Sequence, residues 1–328
     1  MFRHDVPSER LVFLLGAPRS GTSWMGKIFD SHPDVIYRHE PDLIATDSIL
    51  PSMCLGDDAE LHKGRASRYI EQLTQTATVK TVGSPPLFRK RNQSRVALTA
   101  RKGAVLLFQV ALQLGATRQW ARNARIPDFL PGSAQPSRIV IKSISALGRV
   151  RLFANAAPEA RIALIVRDPR AQVASVLRGI SLSKFDNEAS VDTILLVPQS
   201  KRYGLTKEQL SAMTIEEKLT WNWVIMYEKA LADLAAVRHG RIVRYDDFVK
   251  DPLAHAREIL DFAGLSWNQQ TEDFILESTR GKGKDRYYGV FKDPNEAANS
   301  WRQELNDDQK RRIRAIVEVT PLASFLQE

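Results

Sequence analysis

The segment Leu11–Ser31, LVFLLGAPRSGTSWMGKIFDS, limits what this chain can fold into more than any other stretch. Leu11–Leu15 is an unbroken apolar run, the pattern of a strand covered on both faces in a parallel sheet. Gly16, Pro18, Arg19, Ser20 and Gly21 then make a loop. Trp24, Met25, Ile28 and Phe29 recur at helical spacing and supply the buried stripe of a helix. Strand, glycine-bounded loop and helix in this order gather free N–H groups and the positive end of a helix at one point, which is an anion site.

Gly16–Gly21 has the G-x4-G spacing of a phosphate-cradling loop, but the Lys that a Walker A loop places after the second glycine is missing. Thr22 and Ser23 follow Gly21 instead, and the basic side chain, Arg19, lies inside the loop. Arg19 is a charged donor, and Ser20, Thr22 and Ser23 are hydroxyl donors. The competing reading is a turn that only packs a helix on a strand. Without the Lys or an evident magnesium carboxylate, an ATP-hydrolysing machine is disfavoured.

Further strands are expected at Asp34–Tyr37, Arg138–Lys142, Arg161–Val166 and Arg241–Tyr245. Helices are expected at Arg65–Thr76, Ile144–Ala156, Pro169 to about Arg178 with Asp168 as N-cap, Thr214 to about Val237, Leu253–Phe262, and Asn306 to about Val319. Arg95–Trp120 carries another apolar pattern. Pro41 disfavours helix at Glu40 and places it at an extended strand end or loop. Strands alternating with helices predict an α/β fold, one P-loop-like domain spanning 1–328 with a central, mostly parallel sheet flanked by helices. Segments of about 45–136 and 180–205 carry weak signals; Ile180–Leu205 reads as an insertion or flexible loop and Arg89-Lys90-Arg91 as a solvated face.

The net charge of +9 suits an anionic partner. No run of five Lys/Arg suggests a nucleic-acid arm, so no nucleic-acid partner is expected. Cys54 is the only cysteine and forms no intrachain disulfide. The N-terminus is not a signal peptide and no stretch is long and apolar enough to span a membrane, so a cytoplasmic protein is the expectation. The His and Cys show no metal-ligand spacing, and no metal is expected.

The fourth strand ends at Arg167, and Ser175 lies eight residues on in the following helix. In an open α/β sheet ligands bind at the carboxyl ends of strands, so this pair and the first loop can share one ligand. Together, GAPRSGTSW at Gly16–Trp24 and IVRDPRAQVASVLR at Ile165–Arg178 resemble the 5′-phosphosulfate loop and the 3′-phosphate strand–helix of the PAPS-dependent sulfotransferases. PAPS is 3′-phosphoadenosine-5′-phosphosulfate. His32-Pro33-Asp34-Val35, Glu40-Pro41, RYDDFVKDPLAHAREILDFAGL at Arg244–Leu265 and SWRQEL at Ser300–Leu305 extend the resemblance, which is strongest to the carbohydrate and tyrosylprotein branches.

The resemblance implies a sulfotransferase fold, PAPS as donor, and an acceptor hydroxyl on a sugar, glycoconjugate, protein tyrosine or small alcohol. It places Pro18, Arg19, Ser20, Gly21, Thr22, Ser23 and Trp24 at the 5′-phosphosulfate, and Arg167 and Ser175 at the 3′-phosphate. Arg280, Lys282 and Lys284, in a basic glycine-containing loop, become candidates to close over the nucleotide. Lys142 is a candidate second cation with Arg19. The cytosolic branch has a Lys-x-His pattern; here Lys142-Ser143-Ile144 lacks the His. The carbohydrate-type branch uses a Glu, and Glu40 matches its position after the second strand, so the resemblance implies Glu40 as general base, with His39 as the alternative. Neighbours on an extended segment point to opposite sides, so only one of the two is expected to face the site. A nucleotide kinase or other NTPase and a non-catalytic anion-binding protein are the competing functions. Trp120, Trp221 and Trp223 are read as core.

Overall fold

The computed structural model describes residues 6–82, 85–113, 124–128, 136–183, 191–280 and 293–327. Its frame is a five-stranded sheet of β1 (Leu11–Gly16), β2 (Val35–His39), β3 (Arg138–Ser143), β4 (Arg161–Val166) and β5 (Gly240–Arg244). The strand order is β2-β3-β1-β4-β5 and every pairing is parallel. Helices of about two turns or more are α1 (Thr22–Ser31), α2 (Lys63–Gln75), α3 (Arg95–Gln113), α4 (Val150–Ala156), α5 (Pro169–Ser181), α6 (Ile215–Leu234), α7 (Pro252–Phe262), α8 (Gln269–Thr279) and α9 (Asp307–Glu318).

The apolar runs are strands because both faces of the sheet are covered. Phe13, Leu15, Ile141, Ile162 and Leu164 point to one side and pack with residues of α2, α4 and α6. Val12, Leu14, Val140, Ala163 and Ile165 point to the other and pack with α1, α7 and α8. Trp221 and Trp223 are core, as expected; Trp120 lies outside the described residues. Because all strands run the same way, Gly16, His39, Ser143, Val166 and Arg244 end on one edge. Every candidate group from the loop, Glu40, Lys142 and Arg167 is delivered there.

Local signals held where caps were specific. Asp168 accepts from the Arg170 N–H at 2.8 Å and opens α5 with Pro169. Glu217 accepts from the N–H and hydroxyl of Thr214 at the start of α6, and Asn306 caps α9.

Three expectations change. The helix expected from Ile144 starts at Val150, because Ser143 and Ser145 turn their hydroxyls onto Asp42 at 2.6 and 2.5 Å. The segment 191–205 is not a loose polar insertion: Val191–Leu196 and Pro198–Arg202 are short helices that bury Ile194 and Val197. Lys90 is no solvated residue. It is buried and bonds Asp30 at 3.1 Å, while Lys27 holds the other oxygen of Asp30 at 2.7 Å.

Candidate active site

The loop between β1 and α1 is held from beneath by two tyrosines. The Tyr227 hydroxyl accepts from the Ala17 N–H at 3.0 Å and donates to the Ile165 carbonyl at 2.8 Å, tying the loop to the end of β4. Gly21 has φ +91°, and a Cβ there would stand 2.1 Å from Cε2 of Tyr245, so the position needs glycine on both counts. Trp24 is buried, meets Tyr245 and Phe248 edge-on, and donates its indole N–H to Ser278 at 3.0 Å. Ser20 is fully buried under the loop, facing Tyr227. Of the three hydroxyls expected as donors, only Ser23 is exposed. Pro18 is exposed on the loop and Thr22 buried at the start of α1. The Trp24 and Met25 N–H groups donate to the Gly21 carbonyl at 3.1 and 3.2 Å, so the N–H groups of Thr22 and Ser23 are the ones that stand at the start of α1.

Arg19 joins the two motifs. Its Nε donates to Ser175 Oγ at 3.0 Å, and its carbonyl accepts from Arg167 Nη1 at 2.9 Å. Arg19 itself has φ +70°, an uncommon conformation for a residue with a side chain. Arg167 also donates from Nη2 to the Ala297 carbonyl at 2.5 Å and lies over the Tyr245 ring at 5.3 Å. It is nearly buried, and among the described residues its Nε meets no acceptor.

The third element is the end of β2. Glu40 leaves the strand with φ +47° and ψ +51°, neither extended nor helical, while its N–H donates to the Lys142 carbonyl at 2.8 Å. Its carboxylate pairs with the Lys142 ammonium; the side chains are 12% and 1% exposed. Burial pushes the Lys142 pKa down and Arg19 adds to that, while Glu40 opposes it. The effect of Arg19 on Lys142 shows that loop and carboxylate share one electrostatic neighbourhood.

The strand alternation expected to separate His39 from Glu40 fails, because the left-handed turn at Glu40 swings its carboxylate back. His39 Nε2 lies 3.7 Å from Glu40 Oε1, and its Nδ1 bonds the Tyr37 hydroxyl at 2.9 Å. Burial first, then Lys142, Lys27 and Lys80, bring the His39 pKa down to about 3. A neutral imidazole of that acidity is a poor proton acceptor, which favours Glu40 over His39 as the base. Arg280 is exposed just past α8; Lys282 and Lys284 lie outside the described residues.

Sequence reasoning missed Tyr227, Tyr245 and Asp246. Tyr227 was hidden in an apolar helix face. Tyr245 and Asp246 carried a usable signal, a Tyr-Asp pair at the carboxyl end of a strand in a sheet that binds ligands there. Two groups here suit anions: the N–H groups at the start of α1, and the guanidinium of Arg167.

Comparison with known proteins gives one consistent answer. The model of the sulfotransferase family matches residues 12–269. The chain is 26% identical to carbohydrate sulfotransferase 5 of Mus musculus, covering 93% of this chain and 78% of that protein. It is 25% identical to carbohydrate sulfotransferase 6 of Homo sapiens over the same shares. Among solved structures, a mouse sulfotransferase complexed with PAP matches at a TM-score of 0.42 and 13% identity, covering 94% of this chain and 84% of that one.

Proposed function

We propose that this chain, which belongs to the sulfotransferase family, moves the sulfuryl group of PAPS to a hydroxyl of a carbohydrate or glycoconjugate. The observation that carries the reading is the double attachment of Arg19, to Ser175 through its side chain and to Arg167 through its carbonyl, beside the Glu40–Lys142 pair. It sets two anion-binding groups and a carboxylate on one sheet edge, which the donor needs and a simple triphosphate does not. The carbohydrate branch is supported by the relatives named above.

Bound there, PAPS supplies an activated sulfuryl group on a nucleotide leaving group. Arg19 and the N–H groups at the start of α1 take up charge growing on the leaving 5′-phosphate oxygen. Arg167 and Ser175 hold the 3′-phosphate and so fix the register of the nucleotide. Glu40 accepts the proton of the acceptor hydroxyl, and Lys142, bonded to one carboxylate oxygen, keeps the other aimed at it. The segments of about 45–136 and 180–205 read the acceptor.

Three measurements test this. Adenosine 3′,5′-bisphosphate should raise the Tm while ATP with magnesium does not; the opposite pattern refutes the donor. Labelled PAPS should then transfer label to members of a glycoconjugate panel, and transfer to tyrosyl peptides alone would move the acceptor to protein. Glu40→Gln should lower turnover about 10²–10⁴-fold with bisphosphate affinity kept. Full activity in Glu40→Gln would remove Glu40 as base.

A further inference from the structure

The corner after β5 touches both phosphate-binding segments. Tyr245 fills the space beneath Gly21 and faces Arg167, and the next residue, Asp246, reaches the peptide that follows Arg167. Asp246 Oδ2 accepts from the Asp168 N–H at 2.6 Å. That N–H belongs to the peptide joining Arg167 to Asp168, so the bond fixes the peptide plane from which the Arg167 side chain springs. We infer that Asp246 is a positioning residue for Arg167, and that it sets the preference of the site for a nucleotide with a 3′-phosphate. The inference rests on the reading that Arg167 meets that phosphate.

A purely structural role accounts poorly for a carboxylate here. The neighbouring Asp168 does the capping: it accepts from the Arg170 N–H and guanidinium and from the Gln327 N–H. Asp246 adds a second carboxylate beside it, 5% exposed, and its Oδ1 has no partner among the described residues. An uncompensated buried carboxylate oxygen is costly, and a neutral Asn would accept the same N–H more cheaply. The charge has a use if it acts on Arg167. It balances the guanidinium before the nucleotide arrives and is given up, by protonation, when a phosphate takes its place.

The surroundings permit that exchange. Burial pushes the Asp246 pKa up to about 6, with the Asp168 N–H and Arg167 opposing and the Asp168 charge adding. A cleft of about 460 Å³ reaches Asp246 and opens it to water, with Arg244, Asp247, Lys250 and Arg302 as the charged groups on its walls. The phenols of Tyr227 and Tyr245 complete the ionisable neighbours, and burial holds both protonated.

Calorimetry on the full chain at neutral pH tests the inference. Adenosine 3′,5′-bisphosphate and adenosine 5′-monophosphate are titrated in two buffers of different ionisation enthalpy, with wild type, Asp246→Asn and Asp246→Ala. Wild type should prefer the bisphosphate and take up protons on binding it. Asp246→Asn keeps the acceptor oxygen; it should keep the preference and lose the extra uptake. Asp246→Ala should lose about tenfold of the preference, the effect of one positioning hydrogen bond, with monophosphate affinity falling less than bisphosphate affinity. An unchanged preference in Asp246→Ala, or equal weakening of both nucleotides, overturns the inference. So does unchanged uptake in Asp246→Asn. A wild type with no preference for the bisphosphate overturns the underlying reading as well, and is distinguished from the variant results by needing no variant.

Discussion

Gly21→Ala is the sharpest perturbation of the phosphate loop, because two independent observations fix its magnitude. The backbone has φ +91°, where an L side chain is strained by about 1–2 kcal/mol. The added Cβ would lie 2.1 and 2.2 Å from two ring atoms of Tyr245, so ring or loop must move. Tyr245 cannot yield cheaply, being packed between Trp24 and Arg167, and overpacking of this kind costs about 1–3 kcal/mol. Together the loss is about 2–5 kcal/mol. With about 2 cal/mol/K of unfolding entropy per residue over 328 residues, that lowers the Tm by roughly 3–7 °C. The assay is a melting curve of Gly21→Ala, Tyr245→Ala and the double variant, with bisphosphate affinity measured alongside. The double variant keeps the backbone strain but loses the clash, so it should be less destabilised than the sum of the singles by about 1–3 kcal/mol. Bisphosphate affinity of Gly21→Ala should fall about tenfold or more as the N–H array shifts. Strict additivity, or a Gly21→Ala protein with wild-type Tm and affinity, would refute the account of the loop.

Three other outcomes follow from the same geometry. Tyr227→Phe leaves the Ala17 N–H and the Ile165 carbonyl without their shared partner, and equilibrium unfolding should show a loss of about 2–4 kcal/mol; a neutral result would mean that water or Ser20 replaces the hydroxyl. Burial works against ionisation of Asp30, but Lys27, Lys90 and Arg101 outweigh it and hold its carboxyl well below the usual range; Asp30→Asn leaves buried ammonium groups uncompensated and should cost about 3–5 kcal/mol in denaturant melts, a loss under 1 kcal/mol counting against the network. For His39 the unfolded chain takes up a proton near 6.5 and the folded chain only near 3, so stability is lost as pH falls through that window. His39→Gln should flatten the fall of Tm with acid there, and an unchanged slope would show that His39 is not held neutral.

The strands β1, β3 and β4 were legible because each carries an apolar run that needs no partner to be recognised, and the segments at Gly16–Trp24 and Ile165–Arg178 because glycine, proline and capping residues punctuate them. Side-chain direction was not. Glu40 and His39 looked separable by strand alternation, but that rule assumes an extended backbone and Glu40 has left it. Ser20 was read from its place in the loop, and nothing in that run shows that it is buried beside Tyr227. Lys90 sat in a run of three basic residues that suggested solvent, and nothing local tells of Asp30, 60 positions away. Asp246 required knowing that β5 lies beside β4, which is a property of the sheet order.

That order also shapes how the chain is made. β1 is the central strand and the first to emerge during synthesis, yet both its neighbours come much later, at Arg138 and Arg161. Until then LVFLLG is an apolar ribbon with two open edges, a template for pairing with another chain. Non-local parallel pairing is slow to form, and long chains expose such surfaces while they wait. The strand that later delivers the Gly16–Gly21 loop is therefore exposed to mispairing until Arg138–Val166 has been made.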